Sequence, residues 1–333
     1  MPTIALNFED GVTKIIGSLS GETIAEAAYR QGVNIPLDCA DGACGTCKCR
    51  WKSGQYDPGD YIEDALSDEE AAQGYGLACQ MRPETDVVVD ILASSAACKV
   101  EVRALAATIS ALELVSSEIV KLRLKTDQNL PFLPGQYANL EIPGLETSRS
   151  YSFSNLSNTA ELEFLVRLVP NGLMSTFLKN QAQVGDALTL AGPMGSFYTR
   201  DITRPTLFFA GGTGIAPFLA MLEKLATEEA SHPIRLYYGA TTEENLVELE
   251  RLNAFKAVLP LEIYCCVSGA ASVNYPEGFV TQWVNKEHLT EDRYDIYICG
   301  PTAMVEAVQH ALTQEEIQVE HFYTEKFLPT GTV

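Results

Sequence analysis

The chain has 333 residues, 46% of them hydrophobic and 20% charged, with a mean hydropathy near zero. That is the composition of an ordinary soluble protein, long enough for two or three domains that each bury a core. The net charge of −21 argues against nucleic acid and anionic membrane as partners. No apolar run is long enough to span a bilayer, and the opening Met1-Pro-Thr-Ile-Ala-Leu-Asn-Phe-Glu-Asp10 lacks the basic and apolar stretches of a signal peptide. With nine cysteines, this leads us to expect a reducing, cytoplasmic setting and thiol chemistry rather than disulfides.

Residues 3–19 read as two short strands, with Ile4, Leu6 and Phe8 alternating and a turn at Asp10-Gly11. Residues 22–30 read as a short helix that places Ile24, Ala27 and Ala28 on one face. Then comes Cys39-Ala-Asp-Gly-Ala-Cys44-Gly-Thr-Cys47, with Cys79 further on. This C-x4-C-x2-C…C pattern is the spacing of a plant-type [2Fe–2S] cluster. Four thiolates must wrap two irons, and Gly42 and Gly45 let backbone N–H groups approach the sulfurs. Structural zinc would ask for two C-x2-C pairs, and only one is present. Cys49 lies on an apparent strand just past Cys47 and reads as packing. Val87-Val-Val-Asp-Ile91 closes a small β-grasp-like module over residues 1–97.

That module holds 16 Asp and Glu against 6 Lys and Arg, and residues 57–70 contain seven acids and no base. A solvated face is one reading of the run. Beside an iron–sulfur loop, a docking face for a basic redox partner is the other. Ala93-Ser-Ser-Ala-Ala97 suits a linker.

Beyond it the pattern changes. Val120-Lys-Leu-Arg-Leu-Lys125 alternates cleanly, and further strands read at 136–142, 148–154, 161–168 and 186–191, with one helix over 173–180. Short strands at this spacing predict an antiparallel barrel over 98–202. From Thr206 the pattern changes again. Leu207-Phe-Phe-Ala210 reads as a buried strand, followed by an amphipathic helix using Phe218, Leu219, Leu222 and Leu225, and strands at 234–238, 261–267 and 295–299 alternate with helices near 243–257 and 302–314. This predicts a doubly wound parallel sheet over 203–333. The fold class expected is therefore a multidomain α+β and α/β chain.

Three motifs carry chemistry. Gly211-Gly212-Thr213-Gly214-Ile-Ala-Pro217 follows a strand and opens a helix, where N–H groups and the helix dipole hold a pyrophosphate. It departs from the dinucleotide fingerprint: Pro217 replaces the third glycine, and no acid stands at the end of the next strand, Gly239-Ala240. Arg149-Ser150-Tyr151-Ser152 offers a cation, a ring and hydroxyls on a barrel strand. Gly172-Leu173-Met174-Ser175-Thr176 offers a second phosphate cradle at a helix start.

Residues from about 100 to 327 thus resemble the ferredoxin–NADP reductase superfamily. The carriers of the resemblance are R-x-Y-S, the G-x-x-S/T helix start, G-G-T-G-I-A-P and Cys299-Gly300-Pro301. With a ferredoxin module in front, the whole chain resembles the reductase components of ring-hydroxylating dioxygenase systems. The resemblance implies FAD held by Arg149, Ser150, Tyr151, Ser152 and the run Gly172, Leu173, Met174, Ser175 and Thr176. It implies a nicotinamide nucleotide on Gly211, Gly212, Thr213, Gly214, Cys299, Gly300 and Pro301. Glu325-Lys-Phe327 matches a terminal acid-x-aromatic element, in which the ring stacks on the flavin and the acid relays protons. Six residues follow Phe327 here, whereas the plant reductases end on the aromatic. Ser152, Cys299, Glu325 and Phe327 are the expected catalytic residues. A core phenylalanine and a small buried strand cysteine are the competing readings for Phe327 and Cys299.

NADP-specific relatives place an arginine after a serine at the end of the third strand, but Cys266-Val-Ser268-Gly269-Ala270 has no base through Glu277. NADH is therefore the expected donor. A hydride carries two electrons and a [2Fe–2S] cluster takes one, so a flavin between them divides the pair. The expected partner is a Rieske-type terminal oxygenase with a basic docking patch. Reductases of methane or phenol monooxygenases share the layout, and a non-catalytic redox subunit is the alternative from another class.

Overall fold

The computed structural model describes residues 1–37, 41–99, 102–145, 147–228, 232–269 and 272–327. Cys39, one of the four expected cluster ligands, lies outside the described residues. Two compact units emerge: Met1–Arg103 together with Gly192–Ser196, and Ala104–Ala191 together with Phe197–Val333.

The first unit contains β1 (Thr3–Phe8), β2 (Thr13–Gly17), α1 (Ile24–Arg30), β3 (Lys48–Ser53), β4 (Tyr56–Asp57), α2 (Asp68–Ala72), β5 (Tyr75–Leu77), β6 (Arg82–Pro83) and β7 (Val87–Ile91). Five strands form a sheet in the order β2-β1-β7-β3-β5, with β1 and β7 parallel. Alternation in β1 puts Ile4, Leu6 and Phe8 into the core. The α1 helix starts two residues later than its sequence pattern suggests, because Thr23 and Glu26 form a reciprocal capping box. Its Ile24, Ala27 and Ala28 are buried as the spacing requires.

The stretch 93–97 corrects the linker reading. Ala93, Ser95 and Ala97 are buried, Asp10 accepts hydrogen bonds from the Ser95 amide and hydroxyl at 2.9 and 2.8 Å, and Cys98 O accepts from the Asn34 amide at 2.9 Å. Small side chains, which suit a flexible linker in sequence, here permit close packing onto the first unit.

In the second unit, β8 (Arg103–Ser116), β9 (Ile119–Leu130), β10 (Tyr137–Glu141), β11 (Ser148–Ser152), β12 (Thr159–Arg167) and β13 (Ala187–Met194) form a sheet in the order β11-β10-β13-β8-β9-β12, with α3 (Leu173–Asn180) the helix among them. An antiparallel bridge from Phe153 to Phe164 joins the two ends, so the sheet closes into the expected barrel. Its interior is filled by Leu122, Leu124, Leu140, Phe153, Phe164 and neighbours.

The rest of this unit is β14 (Thr206–Gly211), α4 (Ile215–Thr227), β15 (Ile234–Ala240), α5 (Leu249–Phe255), β16 (Leu261–Val267), β17 (Tyr294–Pro301), α6 (Thr302–Gln314) and β18 (Val319–Phe327). The strand order is β16-β15-β14-β17-β18, all parallel. Order reverses between β14 and β17, and in such sheets the ligand crevice opens there, beyond the carboxyl ends of the strands. The helix expected over 243–257 is shorter, because Glu248 takes a left-handed conformation and α5 begins only at Leu249. A polar seam ties barrel to sheet. Glu163 accepts from Ser154, Arg123 and Arg251 at 3.0 to 3.1 Å, and Arg251 also pairs with Glu223 at 2.5 Å. Among the described residues, no helix is long and apolar enough to cross a membrane.

Candidate functional site

In the first unit, the cysteine loop is built on close backbone approach. A Cβ on Gly42 would lie 2.5 Å from Asp60 O and one on Gly45 2.8 Å from Ala65 O, and both glycines have positive φ. The loop is therefore seated directly against the acidic segment. Cys47 and Cys79 come together, the Cys79 amide donating to Cys47 Sγ at 3.4 Å and the Gln80 side chain to Cys79 Sγ at 3.7 Å. Contact with Cys47 holds the Cys79 thiol below its ordinary range against the opposing effect of burial, and the Gln80 and Gly42 bonds add to the lowering. N–H donors aimed at sulfur are what a thiolate-held cluster requires, since they stabilise charge on its ligands. Cys44 is half-buried on the same loop and is not gathered with this pair; among the described residues no three metal-ligating side chains stand together. Cys49 is fully buried with its sulfur 3.5 Å from Met81 Sδ, in keeping with a packing role.

In the second unit, the expected hydride site converges. Ser152 ends β11, Cys299 lies near the end of β17, and Glu325 stands opposite Cys299 on β18. Ser152 Oγ donates to Glu325 Oε2 at 2.8 Å, and Cys299 Sγ donates to the same oxygen at 3.6 Å. Cys299 is wholly buried, and burial followed by the Glu325 charge pushes its thiol well above the ordinary range, so it stays protonated. One carboxylate oxygen thus collects two neutral donors where the barrel meets the parallel sheet. Phe327 is 37% exposed, which removes the core reading of that ring.

Around this point lie groups suited to a flavin. Tyr151 packs against the barrel core, and burial raises its hydroxyl above the usual phenol range. The Arg149 guanidinium is oriented by Thr147 Oγ1 at 3.0 Å and Ser148 O at 2.7 Å, and Ser150 Oγ donates to Asn139 Oδ1 at 2.6 Å. At the start of α3, Gly172 has no side-chain cap, and a Cβ there would meet Val169 Cγ2 at 2.5 Å. The helix leaves first-turn N–H groups for an anion. Within the run, Met174 and Ser175 are buried, and Ser175 Oγ accepts from the Val169 amide at 2.9 Å. Their side chains therefore support the cradle, while Thr176 is exposed.

Sequence reading missed Tyr137. It sits opposite Ser152 in the β10–β11 register, hence on the same face, and its hydroxyl is buried without a protein partner among the described residues. A buried orphan hydroxyl beside Ser152 fits a bound polar ring edge. The available signal was strand pairing, which the local pattern at Pro134-Gly-Gln-Tyr137 does not reveal.

For the nucleotide loop, crowding explains the glycines. A Cβ on Gly214 would lie 2.2 Å from Cys299 O, one on Gly211 2.9 Å from Pro301 Cδ and Met304 Sδ, and one on Gly300 2.7 Å from Met304 Cε. The ends of β14 and β17 are pressed together through glycine alone. Gly212 differs: its φ is +55° and a Cβ there would meet nothing within 4 Å, so its backbone opens toward free space at the switch point. Thr213 and Gly214 complete the turn into the 13-residue α4, which has no side-chain cap. A pyrophosphate fits these uncapped N–H groups.

Comparison with known proteins agrees with this division. Residues 7–84 match a 2Fe-2S iron-sulfur cluster binding domain, 106–198 an oxidoreductase FAD-binding domain, and 208–310 an oxidoreductase NAD-binding domain. The chain is 50% identical over 328 residues to the toluate 1,2-dioxygenase electron transfer component of Pseudomonas putida, covering 97% of this chain and 98% of that one. It is 45% identical over 333 residues to the 2-halobenzoate 1,2-dioxygenase electron transfer component of Burkholderia cepacia, covering 98% of each. Among solved structures, an Amycolatopsis cytochrome P450 reductase superposes with a TM-score of 0.75 at 31% identity, over 99% of this chain and 100% of that one.

Proposed function

The chain belongs to the family of dioxygenase electron transfer components, iron–sulfur flavoprotein oxidoreductases with 2Fe-2S, FAD and NAD domains, and from that premise we propose that it draws electrons from NADH and delivers them to a Rieske-type oxygenase acting on benzoate. The N-terminal run and Cys44-Gly-Thr-Cys-Lys-Cys-Arg50 resemble benzoate 1,2-dioxygenase reductase, and both relatives above serve substituted benzoates by name. The domain limits we assign are 1–97, 98–202 and 203–333, and the reading places the protein in the cytoplasm.

When bound, FAD supplies the conversion between a two-electron hydride and the single electrons that a [2Fe–2S] cluster carries. The protein's part is position and electrostatics. Cys39, Cys44, Cys47 and Cys79 hold the cluster. Arg149 pairs the FAD pyrophosphate, Tyr151 lies against the ring system, and the start of α3 receives phosphate. Gly212, Thr213 and Gly214 receive the NADH pyrophosphate. Ser152 and Cys299 present neutral donors to Glu325, which is placed to hold or pass a proton at Oε2. Phe327, exposed next to that group, is available to cover the flavin.

The observation that carries an enzymatic reading over a passive carrier is the shared Glu325 oxygen. A subunit that only relays electrons has no use for paired donors on a carboxylate at a nucleotide switch point. The test is an anaerobic titration of the holoprotein with NADH. Bleaching of flavin and cluster bands that is complete at about 1.5 equivalents, two electrons for FAD and one for the cluster, followed by transfer to a benzoate oxygenase, supports the reading. Absence of NADH-dependent bleaching refutes it.

The acids Asp57, Asp60, Glu63, Asp64 and Glu69 are all exposed, and the backbone of Asp60 and Ala65 abuts the cysteine loop. We assign this face the docking of a basic patch on the oxygenase, where complementary charge chiefly raises the association rate.

A further inference from the structure

We propose that Glu243 binds the ribose diol of the adenosine half of NADH and excludes a 2′-phosphate from that position. The inference deepens the NADH reading above and rests on it. Sequence offered no acid at the end of β15, but the chain brings one there three residues later. Gly211 at the end of β14 stands opposite Gly239, and Ala240 stands opposite Val267. The loops leaving β15 and β16 therefore open at the same carboxyl edge as the nucleotide loop, each about 5 Å from its neighbour.

Glu243 is held across these two loops. Its Oε2 accepts from Ser272 Oγ at 2.6 Å, and its Oε1 accepts from the Asn274 side-chain amide. These bonds hold the carboxyl below its ordinary range, so it is ionised at neutral pH. Each carboxylate oxygen retains a lone pair beyond the bond it already accepts. Hydroxyls of a ribose are donors that match it, and open α/β sheets use an acid beyond the glycine loop for this purpose.

The same edge is closed to a cation. Residues 239–248 and 266–278 contain no Lys, Arg or His. The Ser268 and Gly269 amides are bound to Ala240 O and Thr241 O at 2.9 and 2.8 Å, and a Cβ on Gly269 would lie 2.5 Å from Thr241 O. Ser268 and Gly269 are thus stapled onto the β15 loop, with no room for a side chain at 269. A 2′-phosphate would meet Glu243 with no cation on either loop to neutralise it.

The test compares wild type, Glu243→Gln and Asn274→Ala holoproteins, using NADH and NADPH with ferricyanide as acceptor. Binding of ADP-ribose and of its 2′-phosphate is followed by calorimetry. Glu243→Gln keeps the shape and, through its amide oxygen, one of the two loop contacts, but removes the charge. It is expected to lower the NADH-to-NADPH ratio of kcat/KM about tenfold to hundredfold, through KM rather than kcat. The same variant should narrow the gap between the two ribose ligands. Asn274→Ala, which weakens the staple and keeps the acid, should stay within about threefold of wild type. An unchanged ratio in Glu243→Gln overturns the inference, as does an equal shift in Asn274→Ala, which would assign the effect to loop shape. A wild type without preference for NADH would instead overturn the reading on which the inference rests.

Discussion

Ser152 Oγ and Glu325 Oε2 lie 2.8 Å apart although 173 residues separate them in the chain. The first belongs to the barrel and the second to the last strand of the parallel sheet, so this one hydrogen bond reports the seating of the two layers. Removing it should affect hydride delivery more than flavin content. Glu325→Gln and Ser152→Ala are expected to slow NADH-dependent flavin reduction by about a hundredfold, with FAD still bound. Stopped-flow absorbance and the visible flavin band measure the two quantities. Loss of FAD in step with rate would make the pair structural.

Cys299 predicts a pH response of defined sign. Its thiol is raised well above its ordinary value by burial and then by Glu325, so the protonated form persists where a free cysteine would ionise. Between pH 7 and 9 the flavin-reduction rate should therefore show no step from this thiol. A rise through pH 8.5 that disappears in Cys299→Ser would contradict the assignment.

Two of the buried cysteines of the first unit, Cys79 and Cys49, should part company. Cys79→Ser is expected to abolish the visible spectrum and paramagnetic signal of the cluster. Cys49→Ser should keep both while losing about 1–3 kcal/mol of stability, the cost of a hydroxyl in an apolar site. Denaturation midpoints and cluster spectra together decide the matter. Retention of the cluster in Cys79→Ser would reverse the ligand assignment.

At the nucleotide edge, an arginine placed after Ser268 is the design that the sequence invites for NADPH use. The structure predicts that it fails. With a Cβ at 2.5 Å from Thr241 O, Gly269→Arg must displace the β15 loop, costing about 1–3 kcal/mol. The expected outcome is a lower Tm and weaker binding of both nucleotides. A stable variant with improved NADPH turnover would show that the loop yields freely.

Docking on the acidic face implies salt dependence. Transfer to the oxygenase should slow as ionic strength rises, since charges separated by more than a Debye length of ~8 Å are screened, while ferricyanide reduction changes less. Neutralising Asp57, Asp60, Glu63, Asp64 and Glu69 should flatten the salt response of the first reaction. The same salt dependence in variant and parent would leave the run a solvated face.

Sequence by itself determined those features whose signal is local. The cysteine spacing, the strand alternation at 120–125, the helix over 173–180 and the glycine run at 211–214 each depend on residues close in the chain, where period and backbone freedom are legible. It could not determine contacts made by packing. Tyr137 became part of the site only because β10 pairs with β11, and Glu325 gained its two donors because β18 adds beside β17 at the sheet edge. Residues 93–97 have the composition of a linker, yet Asp10 holds Ser95 against the first unit. Glu243, four residues beyond Gly239, carried no motif in the chain; a parallel sheet had to set the β15 and β16 loops side by side before Ser272 and Asn274 could hold it. Strand order and register decide such meetings, and they are properties of the packed whole, since each short pattern is compatible with many neighbours.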